Sequence, residues 1–235
     1  MKSIPKHFSF LCAGLAIFAA CQSRPAMHVL FIGNSYTFVN GGLGAQLSGL
    51  DPSIQTSTIA LGGYSLEMHW KNKNAVEAIQ KGGWDYVILQ EQSQTPIIGR
   101  TSFVEYARKF DEIIRQAGAK TILLMTWERP DSRAVGVTTA NIAVAYNSLG
   151  AELGAKVAPA GLAFEASLQK KPELVLYSQD GHPTITGTYL AACVLYSVIT
   201  KRTPEENEYS DPTISPEVRA YLQRIAVNTL SSDPH

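Results

Sequence analysis

Two hydrophobic periods share the chain. Short runs of strand character occupy 28–32 (HVLFI), 54–61, 86–89, 121–125 and, more weakly, 156–158; the first four each stop at a cluster rich in Gly, Asn, Gln or Thr. Runs of this length, bounded by turn residues, predict strands buried on both faces. Between them the period lengthens. Phe103, Tyr106, Phe110, Ile113, Ile114 and Ala117 recur every three or four residues, so a helix over 103–117 turns one apolar face inward and stops at Gly118. Ala140, Ala143, Ala145 and Leu149 predict a helix ending near Gly154, and 187–200 and 217–230 predict two more. Strands alternating with helices predict an α/β fold, a doubly wound parallel sheet covered on both faces. No repeat, low-complexity tract or linker divides residues 21–235, which read as a single domain.

Composition changes this picture little. Hydrophobic residues make up 45% of the 235 and charged residues 17%, ordinary for a globular chain and unlike a disordered or collagen-like one. Twenty Lys+Arg balance twenty Asp+Glu, and no basic run exceeds two residues, so nucleic acid is not an expected partner.

The first residues stand apart. Lys2 and Lys6 precede a mostly apolar run over 8–20, shorter than the roughly 20 residues a membrane span needs, which predicts an export signal. Its ending, LAIFAAC, resembles a bacterial lipoprotein signal. Residues 1–20 would then be removed and Cys21 lipidated, anchoring an exported protein to the membrane of the cell envelope. The mature chain would have 215 residues and, with two lysines and no acid removed, a charge of −2. Cys12 would leave with the signal, and Cys193, inside the apolar run 189–196, reads as a small core residue.

In doubly wound sheets, ligands sit beyond the C-terminal ends of the strands. There the chain places Gly33-Asn34-Ser35, Gly62-Gly63, Gln90-Glu91-Gln92 and Thr126-Trp127-Glu128. Ser35, directly after the first strand and before a turn and helix, can present its hydroxyl at the sheet edge, but it needs a base to act as a nucleophile. Of five histidines, His7 lies in the leader, His28 in a strand and His235 at the terminus, which leaves His69 and His182. His182 follows Asp180 in a Gly/Pro loop (DGHPT), where a carboxylate can hold an imidazole in one tautomer. From these residues alone, a helix N-cap for Ser35 and a surface loop position for His182 remain equal alternatives.

The blocks LFIGNSYTFVN, LGGYSLEMHW, WDYVILQEQSQTP, LLMTW and DGHPTITGTYLAAC, in this order, resemble the SGNH (GDSL-like) hydrolase superfamily, in a less characterised branch with Gly-Asn-Ser in place of Gly-Asp-Ser. The resemblance covers most of the mature chain. It implies a three-layer α/β/α sandwich, flavodoxin-like, around a parallel sheet of about five strands. It makes Ser35 the nucleophile and first oxyanion donor through its own N–H. The second donor is a backbone N–H of Gly63 or Gly62. The third, an Asn side chain in the family's Gly-x-Asn-Asp, aligns here with Gln92, with Gln90 as its rival. The family's Asp-x-x-His becomes Asp180-Gly181-His182, with Gln179 at the place three residues before the histidine. The activity implied is a serine esterase removing acyl groups, acetyl above all, from a carbohydrate or small ester, with no cofactor. A carbohydrate-binding lipoprotein without turnover and an O-acyltransferase are the alternatives.

Asn34, His69 and Trp127 are candidates for the substrate groove, Trp127 because its flat face can stack on a sugar ring. Core packing is an equal alternative for Trp127, and a half-buried helix position for His69. Glu91 and Glu128 could form a carboxylate pair of glycosidase type, but their spacing in sequence is no evidence for one. No metal is expected, since no Cys/His/Asp cluster has ligand spacing.

Overall fold

β1 (Met27–Gly33), β2 (Ile54–Ala60), β3 (Tyr86–Leu89), β4 (Lys120–Leu124) and β5 (Lys156–Ala158) form one sheet in the order β2-β1-β3-β4-β5. Every neighbouring pair is parallel. This computed structural model describes Met1 and residues 26–232. The leader and Cys21 readings, with His7, Cys12 and His235, therefore lie outside the described residues.

Side chains of a strand alternate between faces. β1 and β3 are buried on both, whereas β2, at the sheet edge, is buried only at Ile54 and does not meet the expectation of a strand buried on both faces. Val29 and Phe31 of β1 enter one core while Leu30 and Ile32 enter the other; Ile88 opposes Val87 and Leu89 on β3 in the same way. The first core is closed by α2 (Leu43–Leu50), α8 (Ala160–Lys170), α9 (Ile185–Thr200) and α10 (Pro216–Ser232). The second is closed by α3 (Leu66–Asn72), α4 (Asn74–Gln80), α6 (Arg100–Gln116) and α7 (Thr139–Leu153). The α/β/α sandwich expected from the sequence is present, with the flavodoxin-like strand order.

The predicted strands match within a residue or two at each end, as boundaries usually do. α9 is buried on nearly all sides, since it packs against α2, α8 and α10 as well as the sheet. Cys193 lies in it as a core residue, and burial pushes its thiol up to about 12. The periodicity predicted no helix at α3, α4 or α8. Lys73, in the left-handed region at φ 71°, splits α3 from α4 into two seven-residue pieces too short to show a period. α8 begins with the small residues of AGLA directly after Pro159, which mask its apolar face.

Beyond the C-terminal sheet edge lie two single-turn helices, α1 (Ser35–Phe38) and α5 (Thr95–Ile98). β1 and β3 are neighbours, yet the chain leaves β1 towards β2 on one side and β3 towards β4 on the other. The crevice opens between such diverging connections. Both the Ser35 turn and the Gln90-Glu91-Gln92 segment border it.

Candidate active site

Ser35 is the first residue of α1, and Asn34 caps it by accepting the Tyr36 N–H at 3.1 Å. Asn34 is buried, and its amide donates to the Tyr64 carbonyl at 3.1 Å. It therefore shapes the turn and does not face a ligand. Gln90 completes the turn from β3: its Oε1 accepts from Asn34 N at 2.8 Å and from Thr37 Oγ1 at 3.0 Å, and its Nε2 donates to the Glu91 carbonyl at 2.5 Å. A Cβ at position 33 would lie 2.5 Å from Gln90 Oε1, so only glycine admits this approach.

His182 arrives on a tight hairpin. Tyr177 and Pro183 pair in antiparallel fashion, Ser178 N donates to the His182 carbonyl at 2.9 Å, and Gly181 N donates to the Ser178 carbonyl at 2.9 Å. The hairpin brings Nε2 of His182 to 2.8 Å from Ser35 Oγ, across 147 residues of sequence. Asp180 Oδ2 lies 2.9 Å from the other ring nitrogen, Nδ1. Its Oδ1 accepts from Ser178 Oγ at 2.5 Å and from His182 N at 3.2 Å. The Ser178 hydroxyl first, then the two His182 N–H donors, hold the Asp180 carboxyl down at about 2. An ionised carboxylate can only accept, so the proton of His182 sits on Nδ1 and the Nε2 lone pair faces Ser35. Gln179, at the family's usual acid position, is exposed.

A second loop borders the nucleophile. Tyr64 N donates to the Leu61 carbonyl at 3.1 Å, closing a turn whose central N–H groups, on Gly62 and Gly63, are not used by the turn itself. Gly63 has φ 72°, a conformation other residues rarely adopt, and open space where a Cβ would be. Three bonds tie this loop and α3 to the nucleophile turn: Leu61 N to the Gly33 carbonyl, Asn34 Nδ2 to the Tyr64 carbonyl, and His69 Nε2 to the Gly33 carbonyl at 2.6 Å. His69 is buried, and burial lowers its pKa, so it donates as a neutral imidazole and does not line the groove.

From the third segment, Gln92 Oε1 accepts from Gln94 N at 2.8 Å, Thr95 N at 3.2 Å and Thr95 Oγ1 at 3.3 Å. Backbone N–H groups only donate, so the atom facing them is the amide oxygen and the NH2 remains available as a donor. Both ends of the Gln90 amide are occupied, the oxygen by the nucleophile turn and the NH2 by the Glu91 carbonyl. Glu91 is buried and pairs with no cation among the described residues; burial raises its carboxyl to about 7. Glu128 bonds Arg133 and caps α7 through Thr139 N, so the two glutamates do not act on one centre.

Trp127 is 3% exposed, in the core and not on the groove surface. It stacks between Tyr36 (4.9 Å, 3°) and Phe164 (4.0 Å, 4°), and its Nε1 donates to the Gly181 carbonyl at 3.0 Å. Tyr36 meets the His182 ring edge-on at 5.3 Å. Sequence reasoning missed Tyr36, Ser178 and Asn40, whose amide donates to the Pro183 carbonyl at 2.7 Å. The hydroxyl residue two before Asp180 was a usable signal for Ser178; nothing local marks Asn40. Among the described residues no group of three or more His, Cys, Asp or Glu gathers to hold a metal, and no helix is long and apolar enough to cross a membrane.

No protein-family model matches the chain, and no curated protein matches it. Solved structures do. A candidate SGNH hydrolase from Slackia heliotrinireducens is 28% identical, with 74% of this chain and 99% of that one covered, at a TM-score of 0.65. A DUF4886 family protein from Bacteroides uniformis shares the fold at 19% identity, 88% and 96% coverage and a TM-score of 0.70. An acetyl xylan esterase shares it at 16% identity, 74% and 100% coverage and a TM-score of 0.60. The resemblance to the SGNH (GDSL-like) superfamily read from the motifs is borne out, and with it the coarse assignment as a hydrolase.

Proposed function

We propose that the protein is a serine esterase working through an acyl-enzyme, and that its substrate is a small acyl ester, acetyl above all, of a carbohydrate or other alcohol. The observation that carries this is the chain of contacts from Ser35 Oγ to His182 Nε2 at 2.8 Å and from His182 Nδ1 to Asp180 Oδ2 at 2.9 Å. Ser35 attacks the ester carbonyl while His182 takes its proton, and Asp180 stabilises the imidazolium that forms. The oxyanion of the tetrahedral intermediate is held by the Ser35 N–H, a Gly63 or Gly62 N–H and the Gln92 amide. His182 then protonates the leaving alcohol, and water attacks the acyl-enzyme by the same route. No step draws on a cofactor. The acetyl preference is supported only by the fold shared with an acetyl xylan esterase. Export with lipid on Cys21 belongs to the same proposal and rests on the sequence of residues 1–21.

A serine-reactive fluorophosphonate is expected to add one phosphonyl group to Ser35, and none to Ser35→Ala. Intact-mass and peptide spectra of envelope-derived protein read both this adduct and the N-terminal residue. An unlabelled Ser35 would favour a binding protein without turnover, and an N-terminus other than lipidated Cys21 would remove the anchor.

Gln92→Ala is expected to lower kcat on p-nitrophenyl acetate about 10²–10³-fold, the usual effect of losing one oxyanion donor, with little change in KM. Steady-state kinetics check this. An unchanged kcat would exclude Gln92 as the third donor.

A further inference from the structure

Glu91 has no part in the proton relay, yet it is wholly buried beside the site. Its Oε1 accepts from Gln92 N at 2.6 Å, and both of its oxygens face Leu66 N at 3.3 Å. Leu66 opens α3, three residues after Gly63. Neighbouring Gln90 reaches the other way, to Asn34 N and Thr37 Oγ1 in the nucleophile turn. Two consecutive side chains of one segment thus grip the two loops that carry Ser35 and Gly63.

We propose that Gln90 and Glu91 form a bracket setting the spacing among the oxyanion donors, with Glu91 as a positioning residue that fixes the glycine loop relative to Gln92. This deepens the esterase reading and rests on it. The proposal also gives a physical reason for Gln-Glu-Gln here. A short Gly-x-Asn segment has no side chain at its first position to brace the nucleophile turn, whereas this segment braces both loops and still leaves the Gln92 amide free.

The bracket needs an acceptor. Ionised Glu91 offers only lone pairs to the Leu66 and Gln92 N–H groups; protonation turns one oxygen into a donor aimed among donors. The ionisable groups facing it are Glu67 on α3, whose charge opposes ionisation, and the Tyr146 phenol on α7. Burial holds the Glu91 carboxyl near 7, so the bracket loosens as pH falls through that value. Wild-type kcat is then expected to carry a component that falls as pH drops through about 7.

Glu91→Gln is the test, with p-nitrophenyl acetate as probe. Loss of donor alignment is expected to lower kcat about 100-fold, with KM within about threefold of wild type, and to remove the pH-dependent component near 7. Wild-type kcat in the variant overturns the proposal. A variant that loses stability and raises KM with an unchanged pH profile makes Glu91 a packing residue, and also overturns it. If Glu91→Gln does not fold, Glu91→Asp replaces it: its shorter arm cannot serve Leu66 and Gln92 together, so a lower kcat at constant KM is expected and wild-type kcat is the contrary result. Ser35→Ala run in parallel separates the two levels. Hydrolysis that survives Ser35→Ala sinks the esterase reading itself, whereas hydrolysis lost in Ser35→Ala but intact in the Glu91 variant sinks the bracket alone.

Discussion

Ser35→Ala and His182→Ala are each expected to lower kcat for p-nitrophenyl acetate by about 10⁴–10⁶, and the double substitution to lower it no further. The hydroxyl and imidazole are 2.8 Å apart and share one proton, so removing either member removes the whole relay. What remains is the oxyanion donors, whose backbone N–H groups survive both substitutions, so a residual rate about 10³-fold above water is expected. Release of p-nitrophenol by the three variants, against a buffer blank, measures both quantities. Independent losses that multiplied in the double variant would show that Ser35 and His182 do not act as one unit. Asp180 stands differently. It is 66% exposed, so solvent screens its charge, and its main contribution is to fix the ring tautomer and orientation.

What the sequence made legible was whatever it encodes locally. Buried strands show as short runs ending in polar or glycine clusters, and the doubly wound order follows from alternation, so the sheet and the strand-end placement of Ser35, Gly63, Gln92 and Trp127 could be read directly. Distances across the crevice could not. Asp180 stands two residues before His182, which by family spacing casts it out of register; the hairpin closed by Ser178, Gly181 and the Tyr177–Pro183 pair nevertheless brings its carboxylate to the ring. Gln90 and Gln92 are chemically identical and two residues apart, and only the packed structure separates them. Gln90 turns inward, its oxygen bound to the nucleophile turn and its NH2 to the Glu91 carbonyl, whereas Gln92 spends its oxygen on the α5 turn and keeps its NH2. Glu91 was obscured by its charge, which suits an exposed loop or a catalytic pair better than a buried acceptor of backbone N–H groups.

Trp127 separates two roles that its sequence position could not. Trp127→Ala is expected to destabilise the fold by about 3–5 kcal/mol, the usual cost of truncating a buried Trp. For a described chain of this size that corresponds to a fall in Tm of roughly 6–20 °C. The loss has a definite path to the site. Trp127 is the middle of a ring stack from Tyr36 to Phe164, Phe164 lies parallel to Tyr177 at 6.3 Å, and the indole N–H holds the Gly181 carbonyl next to His182. Without it, Tyr36 and the histidine hairpin lose their common support, so kcat falls together with stability. Trp127→Phe keeps a flat ring in the stack but leaves the Gly181 carbonyl without its donor, and about 1–2 kcal/mol is expected for that alone. Urea titrations of the three proteins give the stabilities, and kinetics on an acetylated sugar give KM. A Trp127 that stacked on substrate would instead raise KM in both variants while leaving the urea midpoint in place, which its burial beneath Tyr36 and Phe164 argues against.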